Sequence, residues 1–349
     1  MNKKSTFTKP VQKISFLNSL KKVFTRIDRQ VFLLVGVIIA LLLFMAVTGT
    51  RDFFTPRSFK SMAVQMPELG ILALGMMITI LIGGINLSIN SIANLTSILI
   101  GFLLLNAVPK GTTPDQMTIY LIIAALLTFV IGMVCGSLNG YLIGYLGVPP
   151  ILATLGDSLF FIGIGLGLTN GKTLFNFPEQ ITAIGSGNFL EIPIPMIIFI
   201  LLAIVLYIVL NFTTFGFKAR MMGANPTASN FSGIDNKKVI MTTHIISGVL
   251  GAITGILIMA RTNSAYFDYG KTYVLLTILI SVLGGVVSGF GNVTGVVLAV
   301  IILQMLGTGF HMFFSGLQGN AFFVDFIWGV LLIVIFIINY FIRLRRERT

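Results

Sequence analysis

The sequence predicts an all-α polytopic membrane protein with about ten transmembrane helices. Of its 349 residues, 56% are hydrophobic and only 10% are charged, and the mean hydropathy is +0.98. A soluble protein of this length needs more polar surface, and the 37 glycines are typical of closely packed spanning helices. The apolar runs are continuous rather than alternating, which excludes a membrane-spanning barrel of strands.

The spans follow from the length of helix, about 20 residues, that crosses roughly 30 Å of hydrocarbon. On this scale we predict spans at residues 31–49, 63–83, 88–108, 118–144, 151–170, 194–211, 239–260, 272–288, 293–312 and 322–342. The Gly-Gly pairs at residues 83–84 and 284–285 indicate either tight turns or breaks inside the bilayer.

The charge distribution predicts that both termini are cytoplasmic. In this orientation the inner segments contain most of the 23 basic residues but, of the acidic residues, only Asp28, Asp235 and Glu347. Basic residues are enriched in cytoplasmic loops. Loop 212–238 is then cytoplasmic, and the basic-poor loop 171–193 is extracytoplasmic.

We divide the chain into a basic N-terminal arm (1–30), a transmembrane domain (31–342) and a basic cytoplasmic tail (343–349). In the arm, apolar residues recur at helical spacing among lysines. The arm is expected either to lie on membrane lipid at the inner surface or to be a partly disordered tail. Because the basic clusters flank apolar segments, the net charge of +12 indicates membrane topology and no nucleic-acid partner.

Loop 212–238 contains a short helix whose two ends are both specified by the sequence. Asn225 is a favoured N-cap, Pro226 suits the first helical position, and Gly233 suits a left-handed C-terminal cap. A connection between two spans does not need such a helix. We therefore expect that a partner outside the membrane docks on it.

No set of residues predicts catalysis or a metal site. His244 and His311 lie in different predicted spans without a carboxylate at helical spacing, and Cys135 is the only cysteine. The Gly-Lys-Thr triplets that begin at Gly171 and Gly270 lack the glycine that a phosphate-binding loop requires five positions earlier. We therefore expect no enzyme activity, no bound cofactor or metal, and no ATP hydrolysis by this chain.

A candidate solute path begins with neutral polar residues near two adjoining helix ends: Asn86, Ser88, Asn90 and Asn94. The three asparagines are spaced at i, i+4 and i+8 and would share one face of a continuous helix. Such amides can hydrogen-bond a polyol. Hydrogen bonds between helices explain the same residues equally well.

Asp157 is the charged residue placed deepest within a predicted span, where an ionisable group is costly and often functional. It faces a hydrated cavity, is protonated or is paired. Gln304 is a further candidate for the path on its polarity alone. Glu68 and Asp325 lie near the ends of their spans, where we expect solvated positions.

Four segments resemble, in the same order, the permease subunits of bacterial ABC importers of the ribose and monosaccharide type. They are GMMITILIGGINLSINSIANLTS, NGYLIGYLGVPPILATLGDSLFFIGIGLGLTNGKTL, GFKARMMGANPTASNFSGID and VLGGVVSGFGNVTGVVLAVII. The resemblance covers nearly the whole chain apart from the basic arm and the first span.

The resemblance implies an inner-membrane subunit that pairs with a second permease, copy or paralogue, and with an extracytoplasmic solute-binding protein. Two cytosolic ATPase subunits would bind ATP and magnesium. The cytoplasmic segment would engage the ATPase through Met222, Gly223, Asn225, Pro226, Ala228, Ser229, Phe231 and Gly233. Phe231 and Met222 would be its apolar anchors, and Asn225, Ser229 and Asn230 would make polar contacts.

The chain departs from the family pattern at three positions. Asn86 stands where these permeases usually have an acid, and Val274 and Leu276 stand where two further acids are usual. These departures weaken the inference of a sugar from the resemblance, and our hypothesis is alternating-access import of a small polar solute, a monosaccharide or related compound. The alternative is an ion- or proton-coupled secondary transporter, for which Asp157 is the obvious ion site.

Overall fold

The computed structural model describes residues 29–47, 51–106, 108 and 114–313, with six further residues between 326 and 337. The helices are α1 (Arg29–Val47), α2 (Pro56–Leu81), α3 (Ile89–Asn106), α4 (Pro114–Gly144), α5 (Pro150–Thr169), α6 (Glu179–Ser186), α7 (Ile194–Phe212), α8 (Thr214–Ala224), α9 (Pro226–Phe231), α10 (Asn236–Thr262), α11 (Tyr273–Leu283) and α12 (Val293–Phe313). Two short antiparallel pairs join β1 (Leu174–Phe175) to β4 (Ser264–Ala265) and β2 (Asn188–Phe189) to β3 (Ile192–Pro193).

Eight helices of the described residues are long and apolar enough to cross a membrane, namely α1, α2, α3, α4, α5, α7, α10 and α12. They match eight of the predicted spans. The span predicted at 272–288 is instead an 11-residue helix, α11. The span predicted at 322–342 lies mostly outside the described residues, as do the N-terminal arm up to residue 28 and the tail 343–349.

Both Gly-Gly pairs end a helix. The N–H of Gly84 donates to the carbonyl of Thr79 at 2.9 Å, and the N–H of Val286 donates to that of Ser281 at 2.9 Å. Gly83 and Gly285 have φ angles of 87° and 75°, a left-handed conformation that closes a helix and favours glycine. The predicted 272–288 span therefore stops at α11 because its second half turns back toward α12.

Helix α10 is the centre of the fold and packs against α2, α3 and α4. Helix α4 carries a glycine at every fourth position on the face toward α10: Gly132, Gly136, Gly140 and Gly144. A Cβ at Gly132 would lie 2.7 Å from the Cα of Val249, and one at Gly140 would lie 2.9 Å from the Cα of Met241. The two backbones therefore approach as closely as small residues allow, as is common between spanning helices.

The main apolar core joins α2 to α7, α10, α11 and α12. Leu74 and Ile78 of α2 are buried there with Phe199 of α7 and Val296 of α12. The last residue of α2, Leu81, belongs to the same core. This position brings the end of α2 close to the short helices α8 and α9.

Candidate functional site

The capped segment, residues 222–236, contains the short helix that the sequence predicted. Helix α9 spans Pro226–Phe231 with Pro226 in its first turn, and the side chain of Asn225 accepts the N–H of Ala228 at 2.9 Å. Gly233 has a φ angle of 78°, so the left-handed end is confirmed together with the N-cap. The helix is specified locally at both ends.

A pair of hydrogen bonds attaches α9 to the start of α10. The Oγ of Ser229 donates to the Oδ1 of Asn236 at 2.9 Å, and the Nδ2 of Asn236 donates to the carbonyl of Pro226 at 2.8 Å. Ser229 is 0% exposed. Because both groups of one amide are used, α9 is fixed relative to α10 and would move together with it.

The outward face of α9 carries a large apolar side chain. Phe231 is 89% exposed, and Asn225, Ala228 and Asn230 are also exposed. Surfaces that contact other proteins typically combine an exposed aromatic ring with neighbouring polar groups. The exposed part of the capped segment therefore has a composition that is typical of a contact surface.

Three of the predicted contact residues face the interior instead. Met222 is 6% exposed and packs in the main core, while Gly223 and Ser229 are also buried. In this conformation the chain's own residues enclose the side chains of Met222 and Ser229, so neither lies on the exposed face of α9. They lie beneath the exposed face of α9.

The base of the capped segment contacts two other parts of the molecule. The Oγ of Ser288 donates to the carbonyl of Gly223 at 2.7 Å, and the N–H of Gly289 donates to the carbonyl of Leu81 at 2.8 Å. A Cβ at Gly289 would lie 2.7 Å from the backbone nitrogen of Ala224. The capped segment is thus in contact with the turn between α11 and α12, and Gly289 of that turn bonds the end of α2.

The predicted path residues Asn86 and Ser88 belong to a buried chain of hydrogen bonds. Asn139 on α4 donates to the Oγ of Ser88 at 2.8 Å, Ser88 donates to the Oδ1 of Asn86 at 2.8 Å, and Asn86 donates to the Oγ of Ser247 on α10 at 2.9 Å. Buried polar groups require such partners. In this conformation the two residues make hydrogen bonds to α4 and α10. Bonding between helices was the alternative to a solute path that the sequence left open.

Asn90 and Asn94 share one face of α3 and hold the segment between α10 and α11. Their Nδ2 atoms donate to the carbonyl of Tyr269 at 2.8 and 2.9 Å. Asn86 does not share this face because α3 begins only at Ile89. The expected three-residue stripe is therefore a two-residue stripe preceded by a turn.

The remaining path candidates lie on helices α5 and α12. Asp157 is buried on α5, and its Oδ2 has no hydrogen-bond partner among the described residues. Gln304 is half-buried on α12, a helix packed mainly against α1 and α2. Helix α5 packs against α3, which carries Asn90 and Asn94.

A second polar site, the arginine–tyrosine cluster, consists of Glu68, Arg261, Tyr269 and Tyr273. Arg261 binds the Glu68 carboxylate through two bonds, Nε to Oε1 and Nη2 to Oε2, the second at 3.0 Å. Nη2 also donates to the hydroxyl of Tyr269 at 2.8 Å, and the hydroxyl of Tyr273 lies 3.5 Å from Oε2 of Glu68. The cluster ties α2 to α10 and to the start of α11.

The prediction of a solvated position for Glu68 is wrong, because Glu68 is 2% exposed. The sequence contained a signal for this ion pair. Arg261 and Glu68 are opposite charges at the ends of apolar runs, where an unpaired charge is costly. Asp325 lies outside the described residues. A role for Asn236 was also not predicted from the sequence. An amide seven residues after Ser229 is a reasonable hydrogen-bond partner for that serine.

In the described part of the chain, no group of three or more His, Cys, Asp or Glu residues lies together as a metal site would require. His244 is buried on α10, and Cys135 is buried on α4. The described residues form a packed helical scaffold in which α9 has an exposed face.

Comparison with known proteins agrees with a transport scaffold. The family described as "Branched-chain amino acid transport system / permease component" matches residues 58–337. The chain is 29% identical over 252 residues to the autoinducer 2 import system permease protein LsrD of Yersinia enterocolitica, which covers 70% of this chain and 73% of that protein. The corresponding proteins of Salmonella typhi and Escherichia coli K12 match with the same identity and coverage. No solved structure matches.

Proposed function

Because the chain belongs to the branched-chain amino acid transport permease family, we propose that it is the membrane subunit of an ATP-driven solute importer. Separate ATPase subunits would bind ATP and magnesium on the cytoplasmic side of a bacterial inner membrane. A second permease, copy or paralogue, and an extracytoplasmic solute-binding protein would complete the complex. The observation that carries the proposal is the exposed, fixed capped segment.

A rigid contact is needed to transmit motion from an ATPase to the spans. Helix α9 has six residues and is therefore about 9 Å long, a size that fits a groove on a partner. Phe231 would enter that groove, with Asn225 and Asn230 beside it. The bonds from Ser229 and Pro226 to Asn236 would prevent α9 from turning independently of α10.

Transmission would proceed through the base of the capped segment. Movement of α9 displaces Gly223 and Ala224, which contact Leu81 of α2 and Gly289 of the turn before α12. Helices α2, α10 and α12 would then tilt together, opening the path to one side of the membrane at a time. This is alternating access driven from outside the chain.

For the solute we propose a small polar uncharged molecule, a monosaccharide or related compound such as autoinducer 2. The relatives are named as importers of autoinducer 2. Asn86, Ser88 and Asn139 supply neutral donors and acceptors, and Val274 and Leu276 add no charge. These polar groups bond one another here, so solute would bind in a state in which helices α3, α4 and α10 have separated.

One observation favours an ion- or proton-coupled secondary transporter as the second candidate. The buried Asp157 has an oxygen without a partner among the described residues, as an ion site at membrane depth would. Uptake coupled to a proton gradient by the isolated chain would support this candidate. ATP-dependent uptake only in the presence of an ATPase supports the importer.

The test of the importer compares Ala228→Glu with Ala183→Glu in the reconstituted complex. Position 228 is the third residue of α9, where glutamate favours the helix, so the variant alters the exposed surface without unfolding it. Ala183 is an exposed alanine of α6, in the loop predicted to be extracytoplasmic. We expect Ala228→Glu to abolish solute-stimulated ATPase activity while membrane insertion and the Ala183→Glu variant remain normal. Equal stimulation in both variants would contradict the proposal.

A further inference from the structure

A cleft of about 420 Å³ opens between the start of α1, the end of α7, helix α8 and the turn before α12. The side chains that line it are Gln30, Val31, Asn211, Arg220, Phe290 and Asn292. The remaining wall is glycine, so backbone rather than side chains borders much of the space. The capped segment continues directly from one wall of this cleft, because α8 leads into α9.

Arg220 is the only charged residue in the lining of this cleft. Its Nη1 donates to the carbonyl of Gly291 at 3.0 Å, and its Nη2 donates to the Oδ1 of Asn211 at 3.1 Å. Both acceptors are neutral, and among the described residues no carboxylate lies within ion-pair distance of Arg220. A guanidinium has five N–H donors. The positive charge and the remaining donors are thus available to an anion.

The position of the cleft along the spans indicates which anion it meets. Gln30 is the second residue of α1, and Asn211 lies one residue before the end of α7. Spans end at the depth of the lipid headgroups, where basic pockets between helices bind phosphate groups. Val31 and Phe290 give the cleft apolar surface beside the arginine, which suits a molecule with a phosphate and a glycerol or acyl portion.

We infer that this cleft binds a phosphate group, carried by the headgroup of an anionic phospholipid. The guanidinium of Arg220 makes bidentate, charge-assisted hydrogen bonds to the phosphate oxygens. The bound lipid joins α8 to α1 and α12 and so braces the base of the capped segment. The inference concerns lipid binding by this chain alone and does not depend on whether the chain drives import.

The test measures binding of phosphatidylglycerol, phosphatidylcholine and inorganic phosphate to the purified full-length chain by native mass spectrometry. We expect saturable retention of phosphatidylglycerol, reduced about fivefold in Arg220→Gln, since one basic residue contributes about 1 kcal/mol to anionic lipid binding. Lys218→Gln is the matched control, because Lys218 is an exposed basic residue of the same helix that does not line the cleft.

A second variant covers the case in which Arg220→Gln does not fold. Val31→Glu places a carboxylate in the cleft and retains Arg220 with both of its acceptors, Gly291 and Asn211. It should reduce retention at least as much, because the carboxylate repels the phosphate and competes for the guanidinium. Arg220-dependent binding of inorganic phosphate alone would identify a soluble phosphate as the source. The inference would be overturned if neither variant changed the retention of any of the three probes.

Discussion

The capped segment and the arginine–tyrosine cluster are both polar, but their contacts reach over very different distances along the chain. Asn225 caps a residue three positions away, and Ser229 bonds one seven positions away. Glu68 bonds Arg261 over 193 residues, and Asn94 bonds Tyr269 over 175. Helix α9 of the first region is held by local contacts and lies on an exposed surface, whereas the second region exists only when the whole bundle has assembled.

The largest expected effect is the removal of one charge from the arginine–tyrosine cluster. Glu68→Gln would leave the Arg261 guanidinium inside the bundle without its carboxylate, which typically costs about 3–5 kcal/mol. Thermal unfolding of the purified protein should therefore shift to a clearly lower temperature. The double variant Glu68→Gln, Arg261→Gln is the control and should recover part of the loss. If the single and double variants unfold alike, the ion pair does not have the role assigned to it.

A smaller effect is expected from Asn94→Leu, which keeps the volume of the side chain but removes the amide. The carbonyl of Tyr269 would lose one of two donors and keep the bond from Asn90, at a cost of about 0.5–1.5 kcal/mol for one hydrogen bond. Hydrogen exchange should increase across residues 264–272 and stay constant in the capped segment. Asn188→Leu, at an exposed asparagine of β2, should leave both regions unchanged. Equal exchange in both variants would show that Asn94 does not hold the segment between α10 and α11.

The corresponding change in the capped segment is Asn225→Ala. Loss of an N-cap costs about 1 kcal/mol, and because the contacts of α9 are local, the effect should stay local. We expect faster hydrogen exchange in residues 226–233 and no change in residues 264–272. Asn230→Ala, on the exposed face of the same helix, is the control. A response of the arginine–tyrosine cluster to Asn225→Ala would show that the two regions are not independent.

The smallest effect concerns the first turn of α10. The backbone N–H of Lys238 donates to the Asp235 carboxylate at 3.2 Å, and this bond lowers the pKa of Asp235. The stabilisation is therefore complete above the ordinary aspartate pKa, about 3.9, and is lost as the pH falls through the lower pKa of the folded state. Hydrogen exchange of this turn, corrected for intrinsic rates, should rise only at the acidic end. Asp235→Asn should remove that pH dependence, and its persistence would implicate another group.

The extent of sequence prediction follows the same division between local and long-range contacts. The eight long spans, the N-cap at Asn225 and the left-handed Gly233 depend on residues close together in the sequence, and each was predicted. Glycine pairs at 83–84 and 284–285 were recognised as turns or breaks, but only the packing of α11 against α2 shows that the second pair ends a short helix.

The interior of the bundle could not be predicted in the same way. Nothing in the spacing of Asn86 and Ser88 reveals that their partners are Ser247 and Asn139, because helix rotation about its axis decides which polar groups meet. The burial of Met222 and Ser229 has the same origin. Both lie beside residues that are exposed, and only the contact with α10 and the main core turns them inward.

The most direct test of the central claim, that the exposed face of α9 docks an ATPase, is the affinity of the cognate ATPase for this chain in lipid nanodiscs. Phe231→Ala should weaken binding about 30-fold, since a central aromatic anchor contributes about 2 kcal/mol. Phe189→Ala removes a ring that is also exposed, at 65%, from the opposite predicted face and should leave the affinity unchanged. Equal affinities for the two variants and the unaltered chain would contradict the account.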